Sequence, residues 1–428
     1  MKQKRIGLVS MLGILCLFLS TGCSQRNAEE SREELPSFPS YKQTSMPVLK
    51  TDNGYYYYSV SENGFRYVDD ETKKEMFLCN KPECTHDGNA FCSATNKKYR
   101  IDNYCLYNNK LYVNAVESTD TQHVYKILTI ELDGSELNEV CTYLTLEKTQ
   151  QNPVVDDSGG FSIYKNKMLI PICVGGQGNL SDTFYFGAVV VDLETGEVNF
   201  TDEESLSKEN GKITNVNAGG EYFYYCEREG KQRTLHRYHL TEKTDERLTL
   251  SSDFTGNYAV LEDNTIIYQK KQGLWLCRYD EVSGESEKKV QLNREEIIGY
   301  NGNVPVKNNY AFTPEQMKTD GEYIYVTERL VQGNADGAGN YSRYIHIYNA
   351  AMEEAAVFNY LGELEKVEFE GHEEINFFYG DLWWSGEDVI CVAYQKENTD
   401  EKYVFQCKRS DFLAGEPEFS FVYKYSED

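Results

Sequence analysis

The fold of this chain is decided by residues 51–60, which read TDNGYYYYSV. The first part predicts a turn, because Asn and Gly adopt the backbone conformations that a tight reversal needs. The second part predicts a β-strand, because tyrosine and valine fit a pleated, half-buried surface. The stretch is therefore a turn followed by an aromatic strand.

Weaker copies of this turn-and-strand unit recur to the end of the sequence, at irregular intervals of roughly 45 to 65 residues. The seven turns are Asp52–Gly54, Asn108–Lys110, Lys165–Lys167, Gly219–Glu221, Glu262–Asn264, Asp320–Glu322 and Ser385–Glu387. The strands predicted after them are Tyr55–Val60, Leu111–Val116, Met168–Cys173, Tyr222–Cys226, Thr265–Gln269, Tyr323–Thr327 and Asp388–Tyr394. Uneven spacing of this kind is expected of repeats that take insertions in their loops.

Each unit can be divided into four antiparallel strands. In the second unit these are Tyr104–Tyr107, Leu111–Val116, Val124–Leu132 and Leu137–Tyr143. Four-stranded units repeated about seven times are typical of a β-propeller, in which each small sheet buries its faces against its neighbours in a closed ring. We therefore predict an all-β propeller of four-stranded antiparallel blades, with seven blades favoured over six or eight. A large β-sandwich or two separate β-domains is the alternative.

The N-terminus predicts export. A basic segment at residues 2–5 precedes an apolar run, Ile6–Leu19, that is too short to be a good membrane-spanning helix. The run ends at Leu19-Ser20-Thr21-Gly22-Cys23, which resembles the lipobox of bacterial lipoproteins. That resemblance implies removal of residues 1–22 as a signal peptide and lipidation of Cys23. A plain secretory signal or an uncleaved membrane anchor is the alternative.

The sequence after the signal divides into a tether and a folded head. Residues 23–45 are polar, charged and contain prolines, which predicts a disordered tether behind the lipidated N-terminus. Residues 46–428 are predicted to form the propeller, as a monomer held by its lipid at the outer face of the cytoplasmic membrane. Removing residues 1–22 would take the net charge from −26 to −29, because that segment carries three basic residues. So acidic a chain argues against nucleic acid as a partner.

The most specific chemical signal is the group Cys79, Cys84, His86 and Cys92. It lies in the connection between the first two units. Three thiols and an imidazole are the ligand set of a Cys3His zinc site, although the spacing C-x4-C-x-H-x5-C matches no standard zinc finger. Such a site would be structural, since four protein ligands leave zinc no open coordination position.

Disulfide bonds compete with zinc at this segment, because an exported protein meets an oxidising environment. Cys105 is close enough in sequence to supply a fourth half-cystine. Free thiols are a third alternative. Covalent haem is disfavoured, since the histidine would have to follow the second cysteine directly and Thr85 intervenes.

Other signals for a catalytic site are weak. Acidic pairs such as Glu373-Glu374 are too common in this chain to nominate a glycosidase pair. The remaining histidines accompany no nucleophile motif, and the sequence assigns no function to His123, His236, His239, His346 and His372.

The lipobox, the C-x4-C-x-H-x5-C segment and the recurrent aromatic strands together resemble a family of uncharacterised bacterial surface lipoproteins. Their single extracytoplasmic domain resembles a β-propeller of the TolB-like or YWTD-like kind. The resemblance implies binding of ligands or proteins on one rim, and it supplies no catalytic residues.

Our leading functional hypothesis is a non-enzymatic, lipid-anchored propeller that binds a protein or a glycan. The first alternative is an enzyme acting on extracellular polysaccharide, as a lyase or a glycoside hydrolase. The second is a metal-handling or redox component built around Cys79–Cys92.

Overall fold

A computed structural model of the chain describes residues 48–88, 92–148, 154–155, 161–175, 183–201, 211–270, 275–281, 289–292, 310–332, 340–371, 375, 377–385, 387–395 and 400–426. The sheets lie in one compact unit, Leu35–Asp428. The predicted signal peptide at residues 1–22, the lipidation site Cys23 and the tether at residues 23–45 lie outside the described residues and stay predictions.

The described strands form seven antiparallel sheets, and within each sheet the four blade strands lie in sequence order. Blade 1 consists of β1 (Leu49–Thr51), β2 (Gly54–Ser59), β3 (Gly64–Asp69) and β4 (Glu75–Phe77). Blade 2 consists of β5 (Tyr99–Tyr107), β6 (Lys110–Ser118), β7 (Gln122–Glu131) and β8 (Leu137–Glu147). Blade 3 consists of β10 (Ser162–Tyr164), β11 (Lys167–Gly175), β12 (Thr183–Asp192) and β13 (Val198–Phe200), with the short β9 (Val154–Val155) paired to β11.

The second half of the ring is built in the same way. Blade 4 consists of β14 (Gly211–Gly219), β15 (Tyr222–Glu229), β16 (Gln232–His239) and β17 (Asp245–Leu248). Blade 5 consists of β18 (Phe254–Val260), β19 (Ile266–Lys270), β20 (Trp275–Arg278) and β21 (Lys289–Gln291). Blade 6 consists of β22 (Tyr310–Thr319), β23 (Tyr323–Gln332), β24 (Asn340–Asn349) and β25 (Glu354–Asn359). Blade 7 consists of β26 (Phe377–Ser385), β27 (Asp388–Gln395), β28 (Glu401–Lys408) and β29 (Ser420–Ser426).

The protein is thus a seven-bladed β-propeller, which confirms the predicted fold class and the preferred blade number. Two helices of five residues each, α1 (Tyr360–Leu364) and α2 (Arg409–Leu413), occur in the described part of the chain. The described residues contain no helix with the length and apolar content needed to cross a membrane.

The tyrosine run that predicted the fold is buried on both faces of its sheet. Successive side chains of a strand point to opposite faces. Tyr55 and Tyr57 pack into the cluster shared with blade 7, whereas Tyr56 and Tyr58 pack into the cluster shared with blade 2. A propeller blade has a neighbour on each side, so this strand is apolar throughout and does not alternate with polar residues.

The predicted turns also join neighbouring blades. The Tyr107 hydroxyl donates to Asn166 Oδ1 at 2.9 Å, and Glu262 N–H donates to the Gly321 carbonyl at 2.9 Å. Gly220 needs its positive φ of 54° and its missing side chain, because a Cβ there would lie 2.0 Å from Asn264 Nδ2. The turns that mark the repeats are therefore contacts of the ring as well as reversals of the chain.

Blade 1 takes all four strands from the start of the described chain, and blade 7 takes all four from its end, so the two blades share no strand. The propeller therefore closes between them through side-chain contacts. Tyr423 lies with its ring centroid 5.7 Å from that of Tyr55, and Tyr425 lies 4.5 Å from Tyr57. Lys50 Nζ forms a salt bridge of 2.8 Å with Asp388 Oδ2 beside them.

Candidate metal centre

Four side chains spread over residues 79–92 converge in the connection between β4 and β5. The ligand atoms of Cys79, Cys84, His86 and Cys92 all lie within 4.8 Å of one another. A tetrahedral zinc site with Zn–S bonds of about 2.3 Å places its sulfur ligands about 3.8 Å apart. The cluster, which we call the Cys3His cluster, could therefore hold a metal such as zinc after small side-chain movements.

The start of the loop follows directly from blade 1. Leu78 N–H donates to the Phe65 carbonyl at 2.9 Å, so the pairing of β3 and β4 continues to the residue before Cys79. Cys84 N–H then donates to the Lys81 carbonyl at 3.1 Å, which closes a turn and brings the second thiol back toward the first.

His86 is oriented by an aromatic stack. The centroid of its ring lies 4.6 Å from the centroid of the Phe77 ring. The guanidinium of Arg66 also packs on Phe77, 3.6 Å from the centroid of that ring. The backbone of His86 has a φ of 52°, an uncommon conformation for a residue with a side chain. This geometry directs the imidazole to Cys92, whose Sγ lies 3.5 Å from Nδ1.

Cys92 is the buried member of the Cys3His cluster, with 1 % of its surface exposed. Burial raises the pKa of its thiol, but hydrogen bonds from His86, from both the side chain and the backbone of Thr95, and from Cys84 lower it to about 6. The Thr95 hydroxyl and N–H donate to the sulfur at 3.2 and 3.3 Å. The surroundings thus favour the thiolate, which is the form that binds metals.

The other three ligands are half-buried. The backbone of His86 lowers the pKa of Cys84, whereas burial and the thiols of Cys92 and Cys79 raise it, and the resulting pKa is above the ordinary value for cysteine. Without a metal, a thiolate at Cys92 beside a protonated Cys84 is thus the favoured state, because like charges so close together repel. A divalent cation would stabilise the remaining thiolates.

The loop also joins blade 1 to blade 2. The Ser93 hydroxyl donates both to the Leu78 carbonyl and to the Gly134 carbonyl in the turn between β7 and β8. Gly134 has a φ of 70°, and a Cβ there would lie 2.5 Å from the Leu78 carbonyl oxygen. Only glycine allows this close approach of the two backbones.

The structure brings together all four residues that the sequence predicted as metal ligands. The described cysteines are free thiols, and Cys105 lies in β5 outside the cluster. Sequence reasoning missed Thr95, Ser93 and Gly134, which surround the ligands. No sequence pattern connects the Asp133-Gly134 turn to a loop some fifty residues earlier.

No family model and no curated protein sequence matches the chain. Among solved structures, it is similar to a GH74 enzyme from Niastella koreensis, with 13 % identity and a TM-score of 0.46 over 91 % of this chain and 55 % of that one. It is also similar to AztD from Citrobacter koseri, with 12 % identity and a TM-score of 0.39 over 91 % of this chain and 90 % of that one. An oligogalacturonate lyase in complex with manganese gives 12 % identity and a TM-score of 0.38 over 69 % of this chain and 73 % of that one.

The chain is thus a seven-bladed propeller by its fold, and its candidate site is the Cys3His cluster. Propellers host many unrelated functions, so function must be argued from the site. The resemblance to TolB-like or YWTD-like surface lipoproteins stays a prediction.

Proposed function

We propose that this chain is a lipid-anchored, non-enzymatic propeller that binds a protein or glycan at the outer face of the cytoplasmic membrane. A structural zinc ion would fix the junction of blades 1 and 2. The observation that carries the proposal is the convergence of Cys79, Cys84, His86 and Cys92 within 4.8 Å. Thiolate and imidazole ligands suit zinc, whereas calcium and magnesium prefer oxygen.

The position of the Cys3His cluster supports a structural role for the metal. It lies in a connection that is anchored to both blades, and its four protein ligands would complete a tetrahedral shell with no position for a substrate. The remaining surface of the propeller would carry the binding function, because loops on a rigid scaffold are where binding residues concentrate.

Elemental analysis of the purified full-length chain tests the metal. We expect about one zinc ion per chain and thiols at the cluster that react only after chelation. A chain that lacks metal and has lost two hydrogens per bridge among Cys79, Cys84, Cys92 and Cys105 would instead establish the disulfide alternative.

Membrane fractionation tests the anchor. Lipidation needs the Cys23 thiol, so Cys23→Ala should leave an unprocessed precursor or release the protein from membranes. Cys105→Ser is a suitable control, because it removes a thiol from the head and leaves the lipobox intact. Normal processing and membrane retention of Cys23→Ala would show that the assignment is wrong.

A screen of the detergent-purified chain against glycans and peptides tests the binding function. Saturable binding without consumption of the ligand supports the proposal. Depolymerisation of a polysaccharide by the zinc-loaded chain would overturn the non-enzymatic part and favour the lyase or hydrolase alternative.

A further inference from the structure

Blade 4 contains a buried histidine between two carboxylates. His236, on the third strand β16, is 2 % exposed. Its Nδ1 lies 2.7 Å from Asp245 on β17, and its Nε2 lies 3.1 Å from Glu227 on β15. The two carboxylates contact opposite sides of the ring, so this is an ion-pair arrangement and not a common ligand point for a metal.

Blade 6 repeats this arrangement. His346, on the third strand β24, is completely buried, and its Nε2 lies 3.3 Å from Glu328, which is also completely buried. Its Nδ1 lies 3.8 Å from Glu354 on the fourth strand β25. The Tyr348 hydroxyl donates to the same Glu354 carboxylate at 3.2 Å, as the Tyr225 hydroxyl donates to Asp245 in blade 4.

The strand register shows that the two arrangements are the same motif. His236 pairs with Tyr225 on the second strand, and Glu227 lies two residues beyond Tyr225. In the same way, His346 pairs with Val326, and Glu328 lies two residues beyond Val326. The fourth-strand carboxylate pairs with the residue two places after the histidine in both blades, Tyr238 and Tyr348.

Blade 2 has a lysine in the same local arrangement, two residues earlier on its third strand than the position of the histidines. Lys126 pairs with Ala115, and its Nζ lies 3.1 Å from Glu117, two residues further along β6. The same Nζ lies 2.7 Å from Glu139, which pairs with the residue two places after Lys126.

Blade 1 has an arginine at this register. Arg66 pairs with Tyr57, and its Nε lies 3.5 Å from Glu75, which pairs with Val68, two places after the arginine. The second-strand position is Ser59 here, and Glu62 supplies the other carboxylate to Arg66. Blades 3, 5 and 7 have no ion at the equivalent third-strand position, which is filled by the fully buried side chains of Val189, Cys277 and Phe405.

We propose that His236 and His346 are imidazolium cations in the native propeller and make blades 4 and 6 sensitive to pH. The second and third strands of these two blades loosen as the pH rises above neutral. In blades 1 and 2, Arg66 and Lys126 stay charged throughout this pH range and keep their contacts with the neighbouring carboxylates. The inference stands apart from the proposed function, because it depends only on the register of the strands.

The physical reason is the burial of the carboxylates. An ionised glutamate with no exposed surface needs a cation beside it, and removing one partner of a buried pair costs about 3–5 kcal/mol in measured cases. In blades 1 and 2 the cation cannot be lost near neutral pH, since arginine and lysine titrate far above it. In blades 4 and 6 the cation between the carboxylates is instead a histidine, the one side chain that titrates near pH 7.

The charged and titratable groups that face each histidine among the described residues agree with this direction. His236 faces Tyr225 and Glu227 from β15 and Asp245 from β17, while Arg247, opposite it in register, is exposed. His346 faces Glu328 from β23, Glu354 from β25 and Tyr348 from its own strand.

The direction of the pKa shift gives the sign of the pH dependence. Burial lowers the pKa of both histidines, but the carboxylates outweigh it and raise each pKa above its ordinary value. A pKa that is higher in the folded than in the unfolded state contributes stability that is complete below about pH 6.5. This contribution is lost as the pH rises through the folded-state value.

The test follows the C2 protons of the six histidines of the full-length chain by NMR from pH 5 to 10. His236→Lys and His346→Lys each assign one resonance. We expect the signals of His236 and His346 to titrate above those of the other histidines, with both rings protonated at pH 7. Titration of either ring at or below its ordinary value of about 6.5 would overturn the proposal for that blade.

Thermal unfolding of the same chain gives the second readout. Lysine already forms the same local arrangement in blade 2, so the double variant His236→Lys/His346→Lys should keep its Tm as the pH rises from 6 to 9. The wild type should lose about 2–4 °C more than the variant over this range. His123→Lys is the control, since among the described residues the charged groups that act on His123 are Lys148 and Arg100 and not carboxylates, and its curve should follow the wild type. Parallel curves for the wild type and the double variant would overturn the proposal, and if the variant does not fold, the wild-type NMR titration decides.

Discussion

Blades 1 and 2 share an apolar core and are also joined through a polar loop, whereas blades 7 and 1 are joined mainly through aromatic and other apolar side chains. In the first junction, Ser93 bridges Leu78 and Gly134, and the Cys3His cluster lies next to this bridge. In the second, Tyr423 and Tyr425 pack against the aromatic strand of blade 1. Both junctions contain an apolar core, but only the first adds a polar loop with candidate metal ligands.

The difference shows what each junction depends on. Burial of large aromatic rings removes apolar surface from water and needs no cofactor. The loop offers little apolar surface, since Asn80, Lys81, Glu83 and Asp87 lie between its ligands. An ion that draws distant residues together is a physical substitute for a core in such a segment. The two junctions should therefore respond differently to chelation and to core substitutions.

Removal of a thiolate from the Cys3His cluster should have the largest effect. In zinc-finger peptides, the apparent free energy of binding structural zinc is about 10–16 kcal/mol, and this energy stabilises the folded state. We expect Cys92→Ser to lose stoichiometric zinc and to speed amide hydrogen exchange in residues 78–98, while the distant blades stay folded. Zinc analysis with hydrogen exchange measures both effects.

Cys141→Ser is the matched control, because Cys141 is a half-buried thiol of blade 2 outside the cluster. It should keep its zinc and its protection. Full zinc content and wild-type exchange rates in Cys92→Ser would refute the metal centre.

Loss of an aromatic ring at the other junction should have the next largest effect. Tyr423 is 9 % exposed and touches the rings of Tyr55, Tyr57 and Tyr425. Tyr423→Ala should lower the free energy of unfolding by about 3–5 kcal/mol, as for other large aromatic side chains in cores. Denaturant unfolding measures this, and the loss should be the same with and without chelator.

Tyr423→Phe separates the ring from its hydroxyl. That hydroxyl has no hydrogen-bond partner among the described residues, so we expect this variant to stay within about 1 kcal/mol of the wild type. If Tyr423→Phe were as unstable as Tyr423→Ala, closure would depend on a polar contact and not on aromatic packing.

The smallest effect concerns a residue that supports a ligand. The Thr95 hydroxyl donates to Cys92 Sγ, and Thr95→Val removes this bond while keeping a similar shape. We expect zinc affinity to fall about 10–100-fold, as for other residues that contact metal ligands. The loss of zinc affinity should grow as the pH falls. Without the Thr95 hydroxyl the pKa of Cys92 is higher, so protons compete with zinc for its sulfur more strongly in the variant than in the wild type.

Competition with a chromophoric chelator measures this change. Thr145→Val, at an exposed position of β8, is the control and should bind zinc as the wild type does. Equal affinities for both variants would show that the hydroxyl does not support the site.

The predicted second strands were correct in place, but those of five blades were too short, and in three of these the shortening has one physical cause. In three blades the predicted second strand stops one residue before a glutamate, whereas the observed strands β6, β15 and β23 continue through Glu117, Glu227 and Glu328. Glutamate is depleted in strands, so local propensity ends the strand there. Each of these glutamates is compensated by a cation on the third strand, and only the folded sheet brings the two together.

The same limit applies to the histidines, which the sequence left without a role. A comparison of units 4 and 6 contains a signal, since both carry Glu-Arg in the second strand (Glu227-Arg228 and Glu328-Arg329) and His-x-Tyr in the third (His236–Tyr238 and His346–Tyr348). This signal is informative only once the strand register is known, because a shift of one residue would place these side chains on opposite faces.

The sequence by itself determined the repeat, the β-class, the blade number and the four residues of the Cys3His cluster. These follow from turn chemistry, aromatic strands and ligand type, which are local properties of the chain. Tertiary structure alone decided which blades meet at Gly134, which hydroxyl reaches Cys92, and which carboxylates enclose His236 and His346. Those contacts join strands that are far apart in sequence or depend on the register between them, and neither is set by local propensity.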